Sequence, residues 1–447
     1  MKTQTMLITA FLSLLFLGSN AQQTELQSYN FNLEECINYA YEHQTSLLNA
    51  AIDQKIADSK VKETTAIGLP QISGSADFRD FIKLPTSLLP GEFFGQPAGS
   101  TVPVTFGVKY NSSLNLSVNQ LLFDGSYIVG LQASRTFKEL SNRAFTRSRI
   151  ETNVAVTKSF YMVLVNNKQL DLLDANIKQL NEQLNQVKAL YKNGFAEKID
   201  ADRLTVIANN LSTERQNIVR ALEIGINLLK FQMGLPIQNK LTLNGSIENI
   251  KLDDMVAKSD TSAYANRIEY NLLQTQLKLN QLDLKRYKFQ YLPSLAAFGS
   301  SSLQYQSNSF RDLYSNSFPT TIVGLQLNIP IFSSGMKLQR VKQAEFQVQK
   351  SQNILADTKN AINLDVFSSL TAYTNSLNTL KNQQSNLDLA NEVLRVSKIK
   401  YEQGVGSSLE VTQAQTALKE AENNYINTLY EALISKVDTQ KALGLIQ

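Results

Sequence analysis

The residues that could carry chemistry are few and scattered. The single histidine, His43, sits beside Glu42 with no second ligand at metal-binding spacing, so it reads as a surface helix residue. The single cysteine, Cys36, can form neither an internal disulfide nor a thiolate zinc cluster. It follows Leu33-Glu34-Glu35, a superficial acylation pattern, but two acids precede it and the N-terminal apolar run lies far upstream. A small packing residue in the first helix is expected there. Gly404-Val405-Gly406-Ser407-Ser408-Leu409 hints at a phosphate loop, yet it lacks a third glycine and falls between helices rather than after a strand. Asp253-Asp254 read as solvated acids. Lys and Arg total 43 against 39 acids, a net charge of +4, which gives no field for drawing in nucleic acid. Catalytic residues, metal ligands, cofactors and a nucleic-acid partner are therefore not expected. What remains is a repeated arrangement: Asp200 and Glu410 each follow a glycine, Gly194 and Gly404, by six residues. Acids at this place suit a helix N-terminus, where the backbone dipole favours negative charge.

The elements that must position these acids come in two copies. Residues 1–21 read as a secretory signal, with Lys2, the apolar run Met6 to Leu17 and small residues to Ala21. Beyond Leu17 no stretch is long and apolar enough for a membrane helix. Residues 22–240 and 241–447 then read as two structural repeats. Ala40-Tyr41 and Leu69-Pro70 recur as Ala263-Tyr264 and Leu292-Pro293 at an offset of 223. Asn119 and Phe123 recur as Asn328 and Phe332 at 209, and Tyr191-x-x-Gly194 and Gly234-Leu235 recur as Tyr401-x-x-Gly404 and Gly444-Leu445 at 210. The drop from 223 to 209 places 14 extra residues between Pro70 and Asn119, in the Pro- and Phe-rich stretch Leu84 to Val104, which reads as a long loop.

Each half predicts helix, strand, loop, strand, very long helix, turn and helix. Leu33 to Ala66 reads as one helix stopped by Pro70. Ile72, Gly74, Ala76 and Phe78 alternate with Ser73, Ser75, Asp77 and Arg79, and the strand from Val108 to Val118 alternates too, giving each one oily and one wet face. In the second half Leu295, Ala297, Leu303 and Tyr305 share a face that Phe298 breaks. Val129 to Asn193 and Met336 to Gln403 read as rods of roughly 100 Å at 1.5 Å per residue. Leu170, Leu173, Ile177, Leu180, Leu184, Val187 and Tyr191 step as a coiled-coil seam, and Leu377, Leu380, Leu387 and Leu394 form a weaker one interrupted by Gln384 and Asn391.

Four strands of about ten residues are long enough to cross a bilayer at a tilt. A sheet in lipid must close, and four strands cannot, so a membrane reading requires several copies to pool their strands. The alternative is a soluble four-stranded sheet capping a coiled coil.

The duplicated plan resembles the TolC-like outer-membrane efflux family. The resemblance is carried by Leu-Pro at the helix-to-strand junctions, by Asn328-Ile329-Pro330-Ile331-Phe332-Ser333-Ser334-Gly335 before the second rod, and by the turns Tyr191-Lys192-Asn193-Gly194 and Tyr401-Glu402-Gln403-Gly404. It implies an α+β membrane protein: four transmembrane β-strands per chain, pooled in a homotrimer as a 12-stranded barrel in outer-membrane lipid, with long antiparallel coiled-coil helices forming a periplasmic α-barrel. It implies a passive exit duct in the outer membrane of a Gram-negative bacterium. The duct would be served by a periplasmic adaptor (membrane fusion) protein and an inner-membrane pump of the resistance-nodulation-division or ATP-driven type. By position, the family's closed-end roles fall on Asp200, Tyr401 and Glu410, and adaptor docking falls on Gly194, Phe195, Ala196, Gly404, Val405 and Gly406. Gly406 and Gln413 stand where the best-known members carry an Arg and a second acid, so a cation-binding ring here would hold fewer charges. The alternatives are the channel of a type I protein secretion system, or a pore-less periplasmic coiled-coil protein.

Overall fold

A computed structural model describes residues 27–247, 250–252 and 263–446. The expected signal segment and Asp253-Asp254 lie outside these residues. In chain order the elements are β1 (Ser28–Phe31), α1 (Leu33–His43), α2 (Thr45–Ile67), β2 (Gln71–Asp80), β3 (Thr86–Pro90), β4 (Thr101–Thr105), β5 (Tyr110–Phe123), α3 (Gly125–Lys192), α4 (Lys198–Met233), β6 (Lys240–Leu243), α5 (Ile268–Phe289), β7 (Ser294–Ser307), β8 (Ser317–Asn328), α6 (Met336–Glu402) and α7 (Ser408–Ala442).

The two rods are single helices of 68 and 67 residues, α3 and α6, each near 100 Å long at 1.5 Å per residue. Each is followed by a helix about half as long, α4 with 36 residues and α7 with 35, folded back along it. The first hairpin closes on the expected seam: Leu173, Leu180, Leu184 and Val187 bury against Ala201, Leu204, Leu211 and Ile218. Tyr191 is a correction to that seam, because it lies past the last packed layer and is exposed. Near its turn the second hairpin buries Leu394, Val411, Ala414 and Leu418. Gln384 and Asn391 are exposed and bond their own helix, to Asp388 and to the Leu387 carbonyl, so they do not interrupt the seam.

The expected single helix from Leu33 to Ala66 is two. Gln44 is extended (φ −68°, ψ 122°) and separates α1 from α2. Asn32 and Glu35 start α1 with a reciprocal capping box, the Asn32 side chain accepting from the Glu35 amide at 3.0 Å and Glu35 from the Asn32 amide at 2.7 Å. That accounts for the acids ahead of Cys36. The Cys36 thiol is fully buried, and burial with Glu35 nearby pushes it up to about 12, so it is an inert packing group. His43 is exposed, stacks on Tyr39 and bonds the Tyr39 carbonyl.

The largest core lies halfway along α3, where Val156, Phe160, Val163 and Leu164 meet Ala40 of α1, Leu229 and Met233 of α4, and Leu433 and Val437 of α7. A short parallel pair, β1 with β6, closes over it. Neither strand is foreseen by the sequence pattern, and β6 straddles the expected division after residue 240.

The four long strands form one antiparallel sheet in the order β2-β5-β7-β8. Register fixes its two faces. Ile72, Gly74 and Ala76 pair with Val118, Leu116 and Leu114, and Leu114 with Leu303, on one side. Ser73, Ser75 and Asp77 pair with Ser117, Asn115 and Ser113, which continue to Ser300, Ser302 and Gln304, on the other. Phe298 falls on the polar side opposite Gly324, where an added Cβ would come within 2.7 Å of its ring. The missing side chain of Gly324 is what admits it. The expected long loop is also corrected: it holds an ordered ribbon, β3 paired with β4 from Thr86↔Thr105 to Pro90↔Thr101. Among the described residues no helix is long and apolar enough to cross a membrane.

Candidate functional site: the paired helical turns

Both long helices end the same way. At the first turn the Gly194 amide donates to the Tyr191 carbonyl at 3.0 Å and the Phe195 amide to Leu190 at 2.8 Å. At the second, Gly404 donates to Tyr401 at 3.0 Å and Val405 to Lys400 at 3.0 Å. These are the two crossed bonds of a Schellman cap, which needs a left-handed residue. Gly194 and Gly404 supply it with φ +79° and +75°. The chain then re-enters a helix after three to four residues, and the acids fall in the first turn of α4 and α7. Ser407 caps α7 by accepting from the Glu410 amide, and Asp200 lies beside Arg203 at 3.8 Å.

The turns therefore present Phe195 and Val405 to solvent, 81% and 79% exposed, with Gly194, Ala196, Gly404 and Gly406 between them. Gly406 is pressed against its own helix: an added Cβ would meet the Lys400 side chain at 2.9 Å. Tyr401 packs on the Leu394, Val411, Ala414 and Leu418 cluster, and Glu410 is exposed. Within one chain Asp200 and Tyr401 share no hydrogen bond, and each is held by its own hairpin.

Sequence reasoning missed what joins the hairpins. Between the large core and the turns, the contact between α3/α4 and α7 carries polar links: Asn176 donates to Glu422 at 2.6 Å, Gln415 bonds Gln183, and Lys419 pairs with Glu214. Burial raises the Glu422 carboxyl above its ordinary value, and the Asn176 hydrogen bond offsets part of this. A cavity beside this layer is walled by Leu180, Leu211, Leu394 and Leu418. The hairpins thus meet through polar links set beside apolar walls.

Two rods folded back on shorter helices are joined to a sheet with one apolar face, one polar face and two free edges. The chain belongs to the outer membrane efflux protein family, whose sequence model matches residues 36–223 and 273–445. It is 22% identical over 431 residues to outer membrane protein TolC of Escherichia coli, covering 93% of this chain and 82% of that one. It is 21% identical over 337 residues to the proteases secretion protein PrtF of Dickeya chrysanthemi, covering 74% and 72%. Its fold matches the CmeC outer membrane channel of Campylobacter jejuni with a TM-score of 0.74 and 17% identity, over 92% of this chain and 85% of that one.

Proposed function

We propose that three copies assemble into a passive exit duct of a tripartite efflux pump, each lending four strands to one 12-stranded barrel. The observation that carries this is the sheet itself. Its edge strands β2 and β8 are unpaired, while Ile72, Leu116, Val323 and Leu325 leave one face uncovered and apolar. Open edges in hydrocarbon would strand backbone amides, so the edges must pair with other copies. The two repeats, 22–240 and 241–447, give each chain two strands on either side of the β5–β7 junction.

The paired turns form the periplasmic end. Gly194, Phe195, Ala196, Gly404, Val405 and Gly406 dock a periplasmic adaptor, and an inner-membrane pump of the resistance-nodulation-division or ATP-driven type supplies the energy. Asp200, Tyr401 and Glu410 constrict the closed end through contacts between hairpins and copies. Detergent-extracted protein should be trimeric by native mass, and Asp200→Ala and Tyr401→Phe should each raise its single-channel conductance in planar bilayers. Trimers whose conductance neither substitution changes would remove the gate assignment, and a monomer that never conducts would remove the channel. Similarity to a protease secretion protein supports a second cargo class, a secreted polypeptide. Loss of an exported protein, rather than of toxicant resistance, on deleting the gene would select it.

A further inference from the structure

The two connections at the outer end of the sheet lean to opposite faces. Between β7 and β8, Phe310 packs edge-on against Phe78 and Tyr110, and Tyr314 against Tyr305. Phe78, Tyr110 and Tyr305 all belong to the apolar face, so this loop joins an aromatic girdle of the kind that sits at a lipid headgroup layer. The β3–β4 ribbon goes the other way. A cleft of about 320 Å³ lies between its base, Leu84 and Phe106, and Asp77, Arg79, Asn111 and Gln304 of the polar face. The base of the ribbon therefore lies toward the polar side of the sheet, which lines the lumen in the proposed channel.

The ribbon is built rather than loose. The Gly91 amide donates to the Ser100 carbonyl at 2.7 Å, the Ser100 hydroxyl to the Pro97 carbonyl at 2.7 Å, and the Gly99 amide to the Glu92 carboxylate at 3.3 Å. A Cβ on Gly91 would meet the Ser100 hydroxyl at 2.1 Å. This ordered tip nonetheless exposes Phe93 (80%), Leu88 (67%) and Phe94 (52%). From Phe81 to Val108 the only charges are Lys83 and Glu92. An ordered, apolar, nearly uncharged tip left uncovered in the single chain marks a contact surface.

We propose that the ribbon is a lid over the outer mouth of the barrel, closed by its Phe93 and Phe94 tip meeting the same tip on neighbouring copies. The proposal rests on the trimeric channel. The ribbon follows directly from the free edge strand β2, so it rises at the seam with the next copy. Five residues at about 3.3 Å each reach roughly 17 Å, more than the ~12 Å radius of twelve strands about 4.8 Å apart and tilted by about 40°. Three tips can therefore meet on the axis, where each covers the others' apolar surface. The channel then carries an outer constriction independent of the helical turns.

The test uses a luminal reporter, Ser75→Cys on the polar face of β2, labelled from outside intact cells. The native Cys36 is fully buried and stays silent. A bulky polyethylene-glycol maleimide should label this cysteine several-fold faster once residues 86–105 are replaced by a short Gly-Ser link, or once Phe93 and Phe94 are both changed to Ser. A small maleimide should label all three proteins equally. Phe93→Cys should give disulfide-linked dimers on mild oxidation. Bulky labelling at one rate in every variant, with Phe93→Cys unlinked in intact trimers, would overturn the lid and leave the channel standing. Quenching of a probe at residue 93 by lipid nitroxides would overturn it too, by placing the tip in the outer leaflet. Protein that is monomeric under gentle extraction would take the lid down together with the channel.

Discussion

In the first half of the chain the long helix and its return partner are tied to the preceding segment by apolar packing. Cys36 and Ala40 of α1 bury against Val156, Leu229 and Met233, and the α3/α4 seam continues with eight buried residues from Leu173 to Ile218. The second half does the same job with charge. Arg267, at the start of α5, is 7% exposed and reaches Glu269 at 2.9 Å, Asp365 of α6 at 2.8 Å and the Ala442 carbonyl of α7 at 3.1 Å. Around it Ile362, Val366, Ala442 and Leu443 are buried, and toward the turn the α6/α7 seam adds Leu394, Val411, Ala414 and Leu418. The same element plan thus anchors the first hairpin to its preceding helix by close-packed side chains and the second by a buried ion cluster beside a smaller apolar one. Packing resists sliding everywhere along a seam, whereas a few polar links can be broken and remade.

The strongest way to break this contrast is at matched seam positions. Leu204 is 1% exposed, and Leu204→Ala should cost about 2–5 kcal/mol, with lost hydrogen-exchange protection spread along α3 and α4. Leu418 already borders the cavity between the hairpins, so Leu418→Ala should fall near the low end of that range and loosen only its own layer. Equal losses in the two hairpins would show that their seams are equivalent.

Next in size is the ion cluster. Arg267→Ala strands Glu269 and Asp365, and should cost about 2–4 kcal/mol, because Asp365 is half exposed and water recovers part of the loss. Burial alone would raise the Glu269 carboxyl, but hydrogen bonds from Arg267 hold it below its ordinary 4.5. A depressed carboxylate contributes stability that is present above 4.5 and lost as pH falls through its folded value. Exchange protection at the start of α5 should therefore drop in acid in the native protein and vary less with pH in Arg267→Ala. An acid-insensitive native cluster would contradict this.

The repeat itself offers a third comparison. Gly234 and Gly444 end α4 and α7 with φ +73° and +70°. An added Cβ at Gly234 would come 2.4 Å from the His43 carbonyl oxygen, whereas at Gly444 the nearest atom is the Asn266 Cβ at 3.1 Å. Gly234→Ala should cost about 1–3 kcal/mol and Gly444→Ala nearer 1, by thermal midpoint in detergent. His43 and Asn266 themselves stand 223 residues apart, so the same joint was built twice and drawn tighter in the first half.

That joint shows what the sequence made legible. The duplication is written in glycines and prolines at element ends, where backbone geometry dictates the residue, so the turns, the helix ends beside them and the four long strands could be read directly, while the break at Gln44, which neither residue marks, could not. Alternation gave the faces of β2 and β5, and Phe298 was opaque only because its accommodation lies in Gly324 on the paired strand. β1 and β6 stayed hidden, since four residues carry no period and their pairing spans more than 200 positions. The ribbon was masked by Pro90 and Pro103, which read as loop until the pairing places them at the end and inside of a two-stranded edge. At the turns, the glycines and acids were legible from spacing. The bridge between the hairpins was not: Asn176 and Glu422 are 246 residues apart, and no local pattern marks an amide for a distant carboxylate.

That bridge carries the smallest predicted effect and the sharpest sign. Glu422 sits on α7 facing Asn176 of α3 and Glu214 of α4, with Lys419 one turn before it on its own helix. Burial raises its carboxyl, and the Asn176 bond only partly offsets this, so the folded protein holds the proton more tightly than the unfolded chain does. Its contribution is therefore fully present below 4.5 and is lost as pH rises through the folded value, opposite to Glu269. Glu422→Gln keeps an acceptor for the Asn176 amide and removes the buried charge. It should tighten the contact between the hairpins at neutral pH, seen as slower amide exchange around Asn176 and Glu422, and make no difference below pH 4.5. Mild acidification would then strengthen this link between the halves while it weakens the ion cluster within the second. A neutral-pH exchange rate in Glu422→Gln equal to that of the native chain would show that the joint is indifferent to this charge.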